Sequence, residues 1–314
     1  MTMYNLFTIN LRHIKFLVTI ILSLLLSSHS FADKKFDKDL KKVSKDNGLI
    51  ENNGKIYSID NISVKKNTIL VIYSHGSHVD QKIDKCLSEH NRVPKVIRNL
   101  HNQKIKNFTI VIYRLCSGVK GWSDKEQTKM WKAHKKLGNL DLKIKDKNGT
   151  ILISKQKQNR KRKIIKDKVE SLRAKGFENI VLAGHSSGGW QSIKLKVEFS
   201  NLIQGVIGLH PGAGGTVQNR EDWPWWTNVR YYGFAKDLSK LNALIITHDK
   251  DIFNSPEDYS MFRNLSKVKF VNLTSSKCKK KAALGGYHGL ALTECFADDP
   301  KSKDVIKYLE NIFN

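Results

Sequence analysis

The sequence predicts an α/β domain in which a mostly parallel central sheet is flanked by helices, and three observations predict it. Short apolar runs at 68–73, 108–115, 180–184, 202–209, 242–247 and 268–273 each have the length of a buried strand. Segments with helical spacing separate them, among them Val93, Val96, Ile97 and Leu100 at i, i+3, i+4 and i+7. Strand, helix, strand in this order implies parallel pairing through crossovers. Finally, the run at 180–183 breaks off into Gly184-His185-Ser186-Ser187-Gly188, a spacing suited to a strand that turns at once into a helix.

Taken from the N-terminus, residues 1–32 have the pattern of a secretory signal. Arg12 and Lys15 supply the positive flank, 16–26 is apolar, and Ser30 and Ala32 are the small residues of a cleavage site after Ala32. The apolar run is shorter than the ~20 residues of a permanent membrane span. Residues 33–48 are a charged lead-in to one domain, 33–314. Asn52-Asn53-Gly54 between two apolar stretches predicts a β-hairpin at one edge of the sheet. The region 116–168 reads as an irregular and basic insertion, although its end overlaps a segment, 155–175, whose expected state is helix. For 192–199 the local pattern is divided. Apolar and charged residues alternate as in a strand, while Trp190, Ile193 and Val197 form a helical stripe; the turn before them favours helix. The segment 211–240, rich in aromatics, is a candidate lid, with Trp223, Trp225 and Trp226 as a candidate substrate wall. Residues 305–313 close the chain as a helix.

The 314 residues include 55 Lys+Arg against 29 Asp+Glu, a formal charge of +26. The excess lysine is scattered, which favours attraction to anionic envelope surfaces and says little about fold. Only 155–168 is concentrated, and a solvated helix face explains it better than a nucleic-acid patch. No nucleic-acid partner is expected. Cys86, Cys116, Cys278 and Cys295 form an even set in a chain read as exported, so disulfides are expected, with three pairings open. None has C-x-x-C spacing, and no metal or other cofactor is expected.

With Gly184-x-Ser186-x-Gly188, His75-Gly76 after the first long strand, and His288 among glycines after the last, the chain resembles the α/β-hydrolase superfamily. Its compact plan is nearest the dienelactone-hydrolase-like and serine esterase branches. The order Ser…Asp…His is the family's order. The resemblance implies a Ser186 nucleophile, a His288 base and an orienting acid after the strand 242–247. Asp251 is favoured by the family's Gly-x-x-Asp pattern, with His248 standing where the glycine would be; Asp249 is the alternative. A hydroxyl needs such a base, and the base needs a carboxylate to fix its tautomer. The oxyanion hole is assigned to the backbone N–H groups of Ser187 and Ser77. If the family's strand order holds, Cys86 and Cys116 become neighbours. Cys278 and Cys295 bracket His288, where a bridge would stiffen its loop. The expected activity is hydrolysis of a small-molecule ester by an exported enzyme, secreted or periplasmic. An acyltransferase, a serine peptidase and a non-catalytic cationic envelope-binding protein are the alternatives.

Overall fold

Thr68–Ser74 is buried along its whole length, as its near-uniform apolar sequence requires of a strand covered on both faces. It lies at the middle of the sheet. The computed structural model describes residues 48–50, 56–77, 93–117, 150–222, 227, 230–231, 234, 237–278 and 286–314; for 48–50, 56–57 and 150–157 it describes the backbone alone. All of these lie in one unit, Asp46–Asn314. The signal segment 1–32, most of the insertion 116–168 and the tryptophans Trp223, Trp225 and Trp226 fall outside the described residues.

The strands, in chain order, are β1 (Gly48–Ile50), β2 (Ile56–Tyr57), β3 (Thr68–Ser74), β4 (Lys104–Ile105), β5 (Phe108–Leu115), β6 (Asn179–His185), β7 (Gly205–Leu209), β8 (Ala243–Thr247) and β9 (Val268–Asn272). They join in the order β2-β1-β5-β3-β6-β7-β8-β9, with β4 beside β5. From β5 to β9 every neighbouring pair on this path is parallel. β1 is antiparallel to both β2 and β5. This mostly parallel sheet, reversing direction in sequence at β3 and continuing through β6 to β9, is an α/β-hydrolase fold.

Among the described residues three longer helices cover it: α1 (Thr150–Ala174), α2 (Ser187–Glu198) and α3 (Lys303–Phe313). α1 begins at Thr150, so the last third of the region read as an irregular insertion is regular helix. Side chains alternate across the strands. Ile69, Val71 and Tyr73 of β3 join Val181 and Ala183 of β6 in a cluster with Val96, Ile97, Val305 and Leu309. The alternate residues Leu70, Ile72, Ile180 and Leu182 are equally buried. They face the other side, where α1 and α2 pack through Ile165, Val169, Trp190 and Ile193. Each such side chain stabilises the fold by about 1.5–3 kcal/mol. Two covered faces leave the rims for chemistry, and in a parallel sheet the carboxyl rim gathers the turns that follow each strand.

Candidate active site

At the carboxyl end of β6 the chain reverses within one residue. Ser186 has φ 51° and ψ −123°, a region that side-chain-bearing residues rarely occupy. Helix α2 starts at the next residue. The flanking glycines make this turn sterically available: a Cβ on Gly184 would lie 2.6 Å from the Gly188 carbonyl carbon, and one on Gly188 would lie 2.2 Å from the Ser74 oxygen. Strand and helix touch backbone to backbone, and only glycine fits there. The Ser186 nitrogen donates to Leu209 O at 3.1 Å, and Ser186 O accepts from Gly212 N at 3.0 Å. Among the described residues, the Ser186 hydroxyl makes no hydrogen bond. It sits at the start of a 12-residue helix, whose first N–H groups favour developing negative charge.

The loop after β3 lies directly against this turn. A Cβ on Gly76 would be 3.1 Å from the Ser186 Cβ and 3.0 Å from His185 Nδ1. The Ser77 hydroxyl donates to the Ser187 hydroxyl at 2.7 Å, which brings together the two residues assigned to the oxyanion hole. His75 stays structural in kind: its backbone oxygen accepts from the buried Lys161 ammonium at 2.7 Å, and its ring meets Tyr73 edge-on.

His288 lies in a 3-10 stretch, Gly286–Leu292, after β9. Its Nδ1 is 2.9 Å from Asp251 Oδ2 and 3.1 Å from Oδ1. A carboxylate only accepts, so Nδ1 carries a proton. The His288 backbone oxygen accepts from His185 Nε2 at 2.9 Å, and the two rings are 4.7 Å apart at their centroids. The neighbour of Ser186 in sequence is thus bonded to the loop that carries His288. Burial, followed by the nearby His288, holds the His185 imidazole well below its ordinary range, so His185 is neutral.

Asp251 follows β8 and is almost fully buried. Burial alone would raise its carboxyl, but hydrogen bonds from His210 and His288 outweigh burial and hold it far below the usual range. Asp249, two residues earlier, points away: it accepts from Asn272 Nδ2 at 2.7 Å at the exposed edge. His248 stacks on Tyr287 with centroids 4.0 Å apart, and its Nδ1 accepts from Lys250 N. Cys278 and Cys295 are bridged, which closes the segment that contains His288. Cys116 is also disulfide-bonded, while Cys86 lies outside the described residues.

Sequence reasoning passed over His210 and Asn254. His210 directly follows β7 and is fully buried, with Nδ1 3.2 Å from Asp251 Oδ2. The Asn254 amide donates to the same Oδ2 at 2.8 Å. The one signal was a histidine immediately before Pro211-Gly212, at the strand end where such sheets place their polar groups. The ligand atoms of His210, Asp251 and His288 lie within 4.8 Å of one another, and both imidazole–carboxylate contacts have hydrogen-bond lengths.

No protein-family model matches the chain, and no curated protein matches it. Among solved structures it is similar to a thermostable esterase (13% identity, TM-score 0.43), covering 81% of this chain and 56% of that one. It is also similar to Est1E from Butyrivibrio proteoclasticus (12%, TM-score 0.44, 84% and 93% covered). A third is a membrane phospholipase A, a bacterial virulence factor (12%, TM-score 0.44, 96% and 99% covered).

Proposed function

From an α/β-hydrolase fold with a strained serine on its carboxyl rim, we propose that this chain is a serine hydrolase of carboxylic esters. The observation that carries the reading is the imidazole of His288, held by its Nδ1 on the buried Asp251 in the loop bonded to the residue before Ser186. Ser186 Oγ attacks the ester carbonyl while His288 Nε2 takes its proton. The tetrahedral oxyanion receives the N–H groups of Ser187 and Ser77. Collapse breaks the C–O bond, and His288 returns the proton to the departing alcohol. Water, deprotonated by the same imidazole, then hydrolyses the acyl-serine and restores the free hydroxyl. Asp251 stays ionised throughout and orients His288.

The signal-like segment 1–32 and the Cys278–Cys295 bridge support an exported enzyme, secreted or periplasmic, because such bridges persist in oxidising compartments. The formal charge of +26 favours a second reading, in which the fold binds anionic envelope polymers without catalysis. A fluorophosphonate probe separates the two. Wild type becomes labelled and Ser186→Ala does not; a folded wild type that stays unlabelled would favour the binding reading. A panel of short- to long-chain acyl esters, with amides and acyl acceptors alongside, distinguishes esterase from peptidase and acyltransferase.

A further inference from the structure

Asp251 is crowded with donors. Its Oδ1 accepts from Phe253 N at 2.8 Å and from His288 Nδ1 at 3.1 Å. Its Oδ2 accepts from Asn254 Nδ2 at 2.8 Å, His288 Nδ1 at 2.9 Å and His210 Nδ1 at 3.2 Å. An acid that needed only to orient one imidazole would not require a second one.

His210 is held there at visible cost. Its φ is 46°, in the left-handed region, although it is not glycine. Among the described residues its other nitrogen, Nε2, is buried with no hydrogen-bond partner, which costs about 1–3 kcal/mol in a folded protein. Neither feature serves stability. Both follow from aiming Nδ1 at the carboxylate. Asn254 is directed there as well. The guanidinium of Arg230, buried against Trp190, donates to Asn254 Oδ1 at 3.0 Å and can only donate. This fixes the amide with its NH2 towards Asp251. Gly212 leaves the room it needs, since a Cβ there would be 2.0 Å from Asn254 Oδ1.

We propose that His210 is a positioning residue: as a second imidazole on Asp251, it works with Asn254 to lock the carboxylate's orientation and direct it to His288. The proposal rests on the reading of Ser186, His288 and Asp251 as a triad. The other titratable groups around the pair are His185 at the end of β6, His248 and Asp249 after β8, Tyr259, whose hydroxyl donates to Pro211 O, and Arg230 with Asp258 behind Asn254. None of these donates a side-chain hydrogen bond to Asp251, so the second imidazole is the variable to change.

Two variants isolate it. His210→Phe keeps the ring and removes the donor. His210→Asn restores an N–H branching from the same Cγ and tolerates the left-handed backbone. On a p-nitrophenyl ester, His210→Phe lowers kcat by about tenfold with little change in KM. The acidic limb of its kcat/KM profile moves to higher pH, because a carboxylate relieved of one donor concentrates its charge on His288. His210→Asn stays within about threefold of wild type and keeps the wild-type profile. Nitrogen-15 spectra of histidine-labelled wild type show residue 210 as the Nδ1–H tautomer, neutral across the active pH range. A His210→Phe enzyme with wild-type kcat and profile overturns the proposal, as does equal impairment of both variants or an Nε2–H tautomer at residue 210. If His210→Phe does not fold, the asparagine variant and the tautomer decide. A wild type that reacts neither with ester nor with fluorophosphonate removes the triad reading and this proposal together; an active enzyme indifferent to residue 210 removes this proposal alone.

Discussion

The backbone at Ser186 carries strain that a glycine would not feel. Ser186→Gly therefore abolishes ester hydrolysis while leaving thermal stability equal to or above that of the wild type. Relief of about 1–3 kcal/mol of strain exceeds the entropy penalty of the new glycine, and calorimetry measures the balance. Asp251 and Asp249 make a sharper pair. Asp251→Asn releases the tautomer of His288, so kcat falls by about 10³–10⁴, whereas Asp249→Asn, altering an exposed contact with Asn272, leaves kcat within about twofold. The sequence put both aspartates after the same strand and favoured Asp251 only by the resemblance; the packing buries Asp251 and exposes Asp249. Ser186 and His288 could be put forward from the sequence because their glycine settings are local. His210 was not, because its role depends on a carboxylate 41 residues away.

Among elements, the turn from β6 into α2 carries the tightest tolerance. Gly188→Ala drives a Cβ into the Ser74 carbonyl, backbone against backbone, and costs about 3 kcal/mol or more. Solubility and Tm fall together with activity. Helix α2 also explains why 192–199 read partly as a strand. Lys194 and Lys196, which supplied the alternation, are both buried. The Lys194 ammonium sits 5.1 Å from the Phe234 ring centre, and burial, aided by Arg162 and Arg230, pushes it down to about 7. The Lys196 ammonium reaches Ser200 O at 3.0 Å. Long stems bury their methylenes while the nitrogen finds a partner, so a hydrophobicity pattern cannot distinguish them from solvated lysines. The Cys278–Cys295 bridge is one of the three pairings the sequence left open, and the one the family resemblance implied. Its separation of 17 residues corresponds to about 3 kcal/mol of chain constraint. Removal of this bridge in a Cys278→Ser/Cys295→Ser variant lowers Tm and slows hydrolysis, since the segment it closes carries His288.

Acid response is a property of the whole molecule. His185 and His210 are both depressed below the ordinary imidazole value of 6.5, each chiefly by burial, so both fold as neutral rings. On unfolding each takes up a proton below about pH 6.5. Their contribution to stability is complete above that pH and drains as pH falls, by up to about 1.4 kcal/mol per pH unit for each ring. Asp251 acts in the same direction further down: its depressed carboxyl stabilises the fold above about pH 3.9 and the benefit is lost on stronger acidification. Unfolding midpoints between pH 7 and 5 therefore fall more steeply for wild type than for His210→Asn, which lacks one titrating ring. At this scale the strand succession of the sheet could be read in advance, because long apolar runs mark strands buried on two faces. The residues that meet on its rim could be read only in part, because their meeting is a product of three-dimensional closure.

Asn314 offers a practical handle. Its backbone oxygen accepts from the Lys106 ammonium at 2.7 Å, in the turn that leads into the start of β5. Asn314 therefore lies beside the amino ends of the parallel strands, across the sheet from Ser186. An affinity tag or resin linkage fused after Asn314 would anchor the molecule by its back, leaving the carboxyl rim of the sheet turned towards the bulk solution.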